Sequence, residues 1–551
     1  MIATGVIVLG LAAFAICSAY RHWEPDFLVR EAQAFLAKGD DGSAALEAQR
    51  ALQLDPTKVD ACRIVAAIME SKGKPEAIQW RRRIVLLAPD SLDEKLAWVA
   101  TALRFHQPSV AQEALALVKE KEKMSKGELY ESSAGAVAVA CGNFEEAQKH
   151  YREALRLNPQ AESNQLNYAN ALLHSPVPEE RASALSILKR LCDSQKFRLL
   201  ALRVLTTDLA THHQLSEALK FSSELQSDAQ ATFSDRINHL DLLLRTGGAD
   251  FASSLESLED RASAAPQEAG MLMAWMDTNR LADQATNWAK RLPAQVVTTP
   301  QTGAGLAACY ISVKDWEGLR ALAVKSNWGD LDYLRLAFLT RALKELGDSD
   351  GSQTQWGAAE TAAAAKPGGL KELVRLVDLW GWKSETIELL TKAAEGERDQ
   401  EWALQLLYQF YSRQGDTRQM CWVAARTRQV DPTNDTVDNN FAILSLLLGS
   451  EVDHASAIAR KLYEKDPGNA VFASTYAYSL YLTGKTDEAL RIMSALRVDQ
   501  LHDPSIAAYY GILLAASGSR VEALKFFNLA KNATLLPEEK QLIAAAIERL
   551  H

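Results

Sequence analysis

Apolar and small residues recur at helical spacing along nearly the whole chain, and turn residues interrupt them at short intervals. A representative stretch is residues 142–159 (GNFEEAQKHYREALRLNP). Its apolar positions fall on one face of a helix: Ala147, Tyr151, Ala154 and Leu155. The helix ends at Asn158-Pro159, because proline does not continue a helix and biases the preceding residue away from helical angles. The pattern predicts a tight Gly-Asn turn followed by one helix.

The same turn recurs at a nearly constant interval. Gly347, Gly381, Gly415 and Gly449 are each 34 residues apart, as are Gly39 and Gly73, and Gly484 and Gly518 continue the series. Less regular turns are predicted at Gln107, Ser175-Pro176, His212-His213, Gly247, Asn279 and Lys314. About fourteen such intervals separate the first and last of these glycines, which predicts about fifteen units of helix, tight turn and helix.

Two further features accompany the period. A small residue stands five positions after the turn glycine, as at Ala44, Ala147, Ala489 and Ala523. A proline ends the second helix, as at Asp55-Pro56, Asn158-Pro159, Asp431-Pro432 and Asp466-Pro467. Together these features resemble the tetratricopeptide repeat (TPR) family. The resemblance covers most of residues 25–537, although many units between about 160 and 400 lack the proline and place tryptophans near the turn, at Trp316 and Trp382.

The resemblance implies an all-α fold, namely a right-handed α-solenoid (superhelix) of about fifteen TPR-like helix-turn-helix units. The apolar residues at the start of the chain add one transmembrane helix before them. We predict four segments: a transmembrane helix with its interfacial stop (1–24), an N-terminal TPR-like array (25–366), a C-terminal TPR array (367–537) and a capping helix (538–551). The division follows Lys366-Pro-Gly-Gly, and a second, weaker break is expected near 247–250. Residues 294–303 (AQVVTTPQTG) are expected to be non-helical.

The first part of the chain suggests an anchor. Residues 2–20 are an uncharged apolar run, whose helix would be about 28 Å long and close to the roughly 30 Å core of a bilayer. Residues 21–23 (RHW) suit an interfacial stop. We therefore expect a single-pass membrane protein, with its bulk in the cytoplasm favoured over the periplasm or another extracytoplasmic space. A cleaved signal peptide, for which Cys17 and Ala19 are small enough, and a buried soluble helix stay open as alternatives.

Composition and motifs favour no catalytic or metal centre. The net charge of -10 counts against nucleic-acid binding. The six cysteines form no CxxC pair, which counts against a zinc ribbon. Residues 303–308 imitate the start of a dinucleotide site but lack a surrounding βαβ pattern, so we interpret them as the first helix of a repeat whose turn is Lys314-Asp315. His212-His213 is interpreted as part of a solvated turn. We expect no catalytic residue, cofactor or metal, and no enzymatic activity.

Binding residues are predicted from repeat phase. If the helix pairs stack, the first helix of each lines the inner wall, which is the natural binding surface of a solenoid. The C-terminal candidates are Gln405, Gln409, Ser412, Asn439, Asn440, Ser474, Tyr478, Tyr481 and Tyr509. Tyrosines offer contact area and amides bond to a peptide backbone, but packing between repeats is an equal alternative for each of these residues.

The N-terminal array adds Asn167, Asn170 and Arg203 as candidates. Some co-chaperone members of the TPR family hold a C-terminal carboxylate with five clamp residues. Asn167 and Arg203 match two of these positions, whereas Ser132, Ala136 and Leu199 stand at the other three. We therefore expect the groove to bind an extended or helical segment of a partner protein instead of a carboxylate tail.

The resulting interpretation is a membrane-anchored TPR scaffold or adaptor that binds partner proteins through its concave groove. One N-terminal span followed by repeats is similar to bacterial envelope-assembly TPR proteins, which implies a role in organising an envelope, polysaccharide or secretion assembly. An exported soluble TPR protein with a cleaved signal peptide is the alternative. A further alternative is the recognition arm of a transferase-type enzyme, which would need a non-repeat domain of at least about 100 residues.

Overall fold

The computed structural model describes residues 23–121, 126–396 and 398–550. Within these ranges the chain is helical, with short connections and no β-strand. The all-α prediction is therefore confirmed for the described residues. The predicted anchor, residues 2–20, lies outside them.

The expected single-pass membrane location needs correction. A helix that crosses a bilayer needs about 20 predominantly apolar residues. In the part of the chain that the structure describes, no helix is both long enough and apolar enough to do so.

Fifteen helix pairs follow one another in the described residues, and we number them repeats 1 to 15. Repeats 1 to 5 are 23–37 with Asp41–Leu54, Val59–Ser71 with Ala77–Leu87, Leu92–Arg104 with Pro108–Ala116, Gly127–Ala140 with Phe144–Leu157, and Glu162–Leu173 with Pro178–Leu191. Repeats 6 to 10 are Arg198–Thr211 with Leu215–Gln226, Phe233–Thr246 with Phe251–Ala262, Pro266–Thr278 with Ala282–Ala289, Pro300–Ser312 with Trp316–Lys325, and Asp332–Glu345 with Ser349–Ala364. Repeats 11 to 15 are Gly369–Leu379 with Lys383–Glu395, Gln400–Gln414 with Thr417–Val430, Asp435–Leu448 with Val452–Lys465, Ala470–Leu482 with Thr486–Ser494, and Pro504–Ala516 with Arg520–Ala530.

A C-terminal helix, Pro537–Arg549, follows the last repeat. Single helical turns lie between repeats at Ala294–Val297, Gly329–Leu331 and Val498–Leu501. The first of them corrects the expectation that residues 294–303 are non-helical. There the β-branched run is followed by a helix start, because Thr299 accepts a hydrogen bond from the Thr302 N–H and Pro300 suits the first helical turn.

The turn inside nearly every repeat contains a left-handed residue. In every described repeat except the fifth, at least one turn residue has a positive φ, such as 67° at Gly415. Glycine occupies this position wherever the 34-residue series is regular, because it adopts that conformation without a steric cost. In the irregular middle the position belongs to residues such as His213, Arg280 and Lys314. The repeat is therefore a conformational pattern that continues where the glycine pattern stops.

Many turns also start the next helix with a side-chain cap. The residue after the left-handed position is often Asp or Asn, whose side-chain oxygen accepts a hydrogen bond from a backbone N–H three residues later. This bond is 3.0 Å from Ser43 to Asp40, 2.8 Å from Gly318 to Asp315 and 3.0 Å from Gln419 to Asp416. A single two-residue unit thus ends one helix and begins its partner.

The described helices fall into two compact bodies, which divide after Leu258. Within each body, first helices of neighbouring repeats contact one another directly, as Leu92–Arg104 contacts Gly127–Ala140 and Ala470–Leu482 contacts Pro504–Ala516. Among the described residues, no two second helices of neighbouring repeats make a contact of that extent. First helices therefore lie on the closer-packed side of each body, and we call the surface they form the first-helix face. The predicted domain division at 366–369 stays a prediction.

The left-handed turn gives a stability prediction. Gly449 has a φ of +64° and open space within 4 Å of the position that a Cβ would take, so Gly449→Ala introduces backbone strain alone. We expect it to lower the free energy of unfolding by about 1 kcal/mol. Gly357 lies on the exposed side of the helix Ser349–Ala364, also with open space around it. Gly357→Ala should raise the free energy of unfolding by about 0.5–1 kcal/mol, because alanine favours the helix.

Urea unfolding followed by circular dichroism measures both changes. Although both variants replace glycine by alanine, we expect the urea midpoint to fall in Gly449→Ala and to rise in Gly357→Ala. A stabilising Gly449→Ala would contradict the role assigned to the left-handed residue.

Candidate functional site

All of the sequence-predicted groove residues lie on first helices. Repeat 12 carries Gln405, Gln409 and Ser412, repeat 13 carries Asn439 and Asn440, repeat 14 carries Ser474, Tyr478 and Tyr481, and repeat 15 carries Tyr509. Asn167 and Asn170 lie on the first helix of repeat 5, and Arg203 on that of repeat 6. Their surroundings differ greatly, so only part of the set is available to a ligand.

Repeats 12 and 13 form an open cavity of about 370 Å³, which we call the repeat 12–13 cavity. Its lining includes Gln405, Gln409 and Asn440, together with the apolar or aromatic side chains of Leu404, Tyr408, Ala424 and Val437. Gln405 and Gln409 are exposed and Asn440 is half-buried. Within the described ranges, no protein group forms a hydrogen bond with the side-chain amides of these three residues. They therefore present donors and acceptors beside an apolar floor, which suits a peptide segment.

Other predicted residues are part of the packing. Asn439, Ser474, Tyr478 and Tyr509 are buried, with Tyr478 only 3% exposed. The rings of Tyr478 and Tyr509 pack edge to face with centroids 5.4 Å apart, and Tyr481 stacks beside Tyr478 at 6.3 Å. Burial raises the pKa of Tyr478 to about 12. These tyrosines follow the packing alternative that the sequence left open.

The C-terminal helix contributes to this cluster. The Tyr509 hydroxyl donates to Glu539 Oε1 at 2.5 Å, and Arg549 Nη1 donates to the Tyr481 hydroxyl at 3.2 Å. The Thr417 hydroxyl donates to Glu538, a contact that spans 121 residues of sequence. A 34-residue period carries no signal for such a contact across three repeats.

A second cavity, of about 540 Å³, lies between repeats 6 and 7. Arg203 lines it and pairs with Asp235 through two hydrogen bonds of 2.9 and 2.8 Å. Burial alone would raise the pKa of Asp235, but hydrogen bonds from Arg203 and from Thr232 hold this pKa below its ordinary value. The Arg203 guanidinium is therefore already occupied by a carboxylate of the chain itself.

The Arg203–Asp235 pair affects whether these residues could act as a carboxylate clamp. Asn167 is exposed and Asn170 is half-buried. The Ser132 hydroxyl donates to Asn164 at 2.6 Å, so this side chain also has a partner within the chain. A ligand carboxylate at Arg203 would have to displace Asp235.

The described residues show no arrangement typical of a metal site. No group of three or more His, Cys, Asp or Glu side chains within them is placed to hold a metal ion. Burial raises the pKa of the Cys309 thiol to about 12, which disfavours the reactive thiolate. His212 Nδ1 lies 2.9 Å from the Asp208 carbonyl oxygen, and His213 is the left-handed residue of its turn. This pair of histidines therefore has a structural place in repeat 6.

The fold and the site together define a TPR-like helical-repeat protein. No protein-family model matches the chain, and no curated protein matches it. Similar solved structures include PilF of Pseudomonas aeruginosa (TM-score 0.27, 15% identity, 44% of this chain and 92% of that one). They also include a tetratricopeptide repeat protein of Parabacteroides merdae (TM-score 0.36, 12% identity, 43% and 92%) and a chain of the APC/C Cut9–Hcn1 hetero-tetramer (TM-score 0.32, 12% identity, 95% and 96%). At these scores the likeness carries no conclusion about function.

The Arg203–Asp235 pair gives a pH-dependent prediction. Asp235→Asn leaves a partly buried guanidinium without its carboxylate, and we expect the free energy of unfolding to fall by about 2 kcal/mol at pH 7. Because the folded-state pKa of Asp235 is lowered, the pair stabilises the protein above the ordinary value of 3.8, and this stabilisation is lost as the pH falls through the folded-state pKa. The difference in urea midpoint between wild type and variant should therefore stay constant from pH 7 to 5 and shrink below about pH 4.

Asp241→Asn is the matched control. Asp241 lines the same cavity and lies 3.6 Å from Arg245 in a half-exposed helical pair. Its substitution should cost less than about 0.5 kcal/mol. If the two substitutions lowered the free energy of unfolding equally, the larger stabilisation assigned to the Arg203–Asp235 pair would be contradicted.

Proposed function

We propose that this chain is a non-enzymatic scaffold that binds a partner protein on the first-helix face of repeats 12–15. The observation that carries the proposal is the repeat 12–13 cavity, where exposed amides without partners in the described structure stand beside apolar and aromatic side chains. This combination suits an extended or helical peptide segment, because amides bond to backbone groups and the apolar floor accepts a side chain.

The arrangement of the remaining residues supports a non-enzymatic role. The fifteen repeats account for most of the described residues, and no non-repeat stretch of about 100 residues, the size of a catalytic domain, lies among them. The function we propose is therefore to hold partner proteins together in an assembly. The envelope, polysaccharide or secretion setting that the likeness to bacterial envelope-assembly TPR proteins implies belongs to this proposal.

Photo-crosslinking tests where a partner binds. A photoreactive amino acid placed at Gln405 or at Gln409 should yield a crosslinked partner in cells that express the full chain. Gln429 is the matched control, because it is also an exposed glutamine of repeat 12 but lies on the second helix. We expect the same partner band at both first-helix positions and none at Gln429.

The partner identified by mass spectrometry can then be titrated against purified variants. Gln405→Ala combined with Gln409→Ala should weaken its binding about thirtyfold, since two side-chain hydrogen bonds of about 1 kcal/mol each are lost. Unchanged binding, or crosslinks that are as strong at Gln429, would contradict the proposed surface. These positions are better probes than Asn439 and Tyr478, whose burial couples any substitution to folding.

A further inference from the structure

The C-terminal helix packs against the same face that we propose for partner binding. It contacts Pro504–Ala516, the first helix of repeat 15, and Asp435–Leu448, the first helix of repeat 13. Before it, Leu536 packs in the same cluster as Tyr408 and Phe441. The helix therefore extends back across several repeats instead of contacting only the last one.

Polar contacts fix its direction. Near its start, Glu538 accepts from the Thr417 hydroxyl and Glu539 accepts from the Tyr509 hydroxyl. At its end, Arg549 donates to the Tyr481 hydroxyl. We call the surface under the helix the covered strip, defined by Thr417, Phe441, Tyr478, Tyr481 and Tyr509.

Apolar contacts lie between these polar ends. Leu542 packs in the cluster of Phe441, Tyr478 and Tyr509, and Ile543 and Ile547 pack in the cluster of Phe527. Within the helix only Ala546 is fully buried, at 6% exposure. The helix is thus held by a narrow stripe and a few hydrogen bonds, and a 13-residue helix is marginal by itself in water.

The covered strip continues into the open cavity. Tyr408 packs in the cluster that holds Leu536 and Leu542, and it also lines the repeat 12–13 cavity. The C-terminal helix leaves that cavity open, with Gln405 and Gln409 exposed. A partner segment that occupied both the strip and the cavity would make contacts that the C-terminal helix does not make.

We propose that the covered strip is a docking site for an amphipathic helix of a partner protein, and that the C-terminal helix is its built-in competitor. We expect the partner helix to resemble the chain's own C-terminal helix, with two carboxylates in the first turn, an apolar stripe at helical spacing and a cation in the last turn. A polar segment before the partner helix would occupy the repeat 12–13 cavity. This inference rests on the proposed function and names the class of ligand for the same face. Binding requires displacement of the C-terminal helix, so the apparent affinity falls by the fraction of molecules in which the strip is free.

A fluorescent peptide of residues 535–550 (LLPEEKQLIAAAIERL) tests the proposal by anisotropy titration against the full chain. Wild type should bind it weakly. The variant E538Q/E539Q keeps the apolar stripe but loses both carboxylates, so its own helix competes less and it should bind the peptide about tenfold more tightly. Glu548→Gln is the matched control, because Glu548 is an exposed carboxylate of the same helix, and it should bind like wild type.

A second variant covers the case in which E538Q/E539Q folds poorly. Arg549→Ala removes the contact with Tyr481 at the opposite end, and it should shift binding in the same direction by a smaller factor. The hydrogen-exchange rates of residues 537–549 should rise in both variants, while the backbone amides of repeats 13–15 stay protected. A peptide carrying the two glutamine substitutions should bind the E538Q/E539Q chain about tenfold more weakly than the natural peptide.

Equal affinity of the peptide for wild type and E538Q/E539Q would overturn the proposal, as would absence of binding to every variant. If E538Q/E539Q forms a dimer that excludes the peptide, the occupant is a second copy of the chain and the partner-helix proposal is wrong. Crosslinks at Gln405 and Gln409 without peptide binding would leave the scaffold function standing and remove only this inference. Peptide binding without any crosslinked partner would support the docking site under the C-terminal helix and contradict the proposed partner surface at Gln405 and Gln409.

Discussion

Each repeat buries its apolar face only against its neighbours, and this constraint shapes the rest of the molecule. The alanines that follow the turns, Ala44, Ala147, Ala489 and Ala523, are completely buried, so the paired helices approach closely without a large side chain between them. A short helix pair has too little surface to form a core of its own. Stability therefore comes from contacts repeated along the chain, and each repeat needs a turn that reverses direction within a few residues. In most repeats a left-handed residue supplies that turn, and in many of them a capping side chain follows it.

The same constraint decides which side chains remain for binding. Stacking uses the apolar stripe of every helix, so polar residues of the first helices are left at the surface of the closer-packed side. In repeats 12 and 13 these residues are Gln405, Gln409 and Asn440, and they surround an open cavity. Farther along, the C-terminal helix occupies the same face, where it contacts Tyr481 and Tyr509, and it also reaches Thr417 at the start of the second helix of repeat 12. A repeat array that ends in a helix of matching chemistry thus covers part of its own surface and leaves the adjacent part open.

Periodic features of this molecule were accessible from sequence, whereas aperiodic contacts were not. The glycine series and the small residue after it predicted the helix pairs, because each repeats the same local physics every 34 residues. The position of each candidate residue within the 34-residue repeat placed it on a first helix. The repeat position did not distinguish exposed Gln405 from buried Tyr509, because the C-terminal helix, which lies outside the repeats, contributes to the burial of Tyr509. Residues 294–303 do not follow the helical pattern, yet Val-Val-Thr-Thr leads directly into a helix that Thr299 and Pro300 start. The contact between Thr417 and Glu538 has no periodic signal at all.

Hydrogen exchange of a core variant tests the stacking account most directly. Leu444 is 2% exposed in repeat 13, and Leu444→Ala should remove about 2–5 kcal/mol of local stability. If stability is carried by neighbouring repeats, backbone amides of repeats 12–14 and of the C-terminal helix should exchange faster, while those of repeats 1–7 keep their wild-type rates. An equal acceleration of exchange along the entire described chain would contradict the account, because it would show one cooperative core in place of a stack of mutually supporting helix pairs.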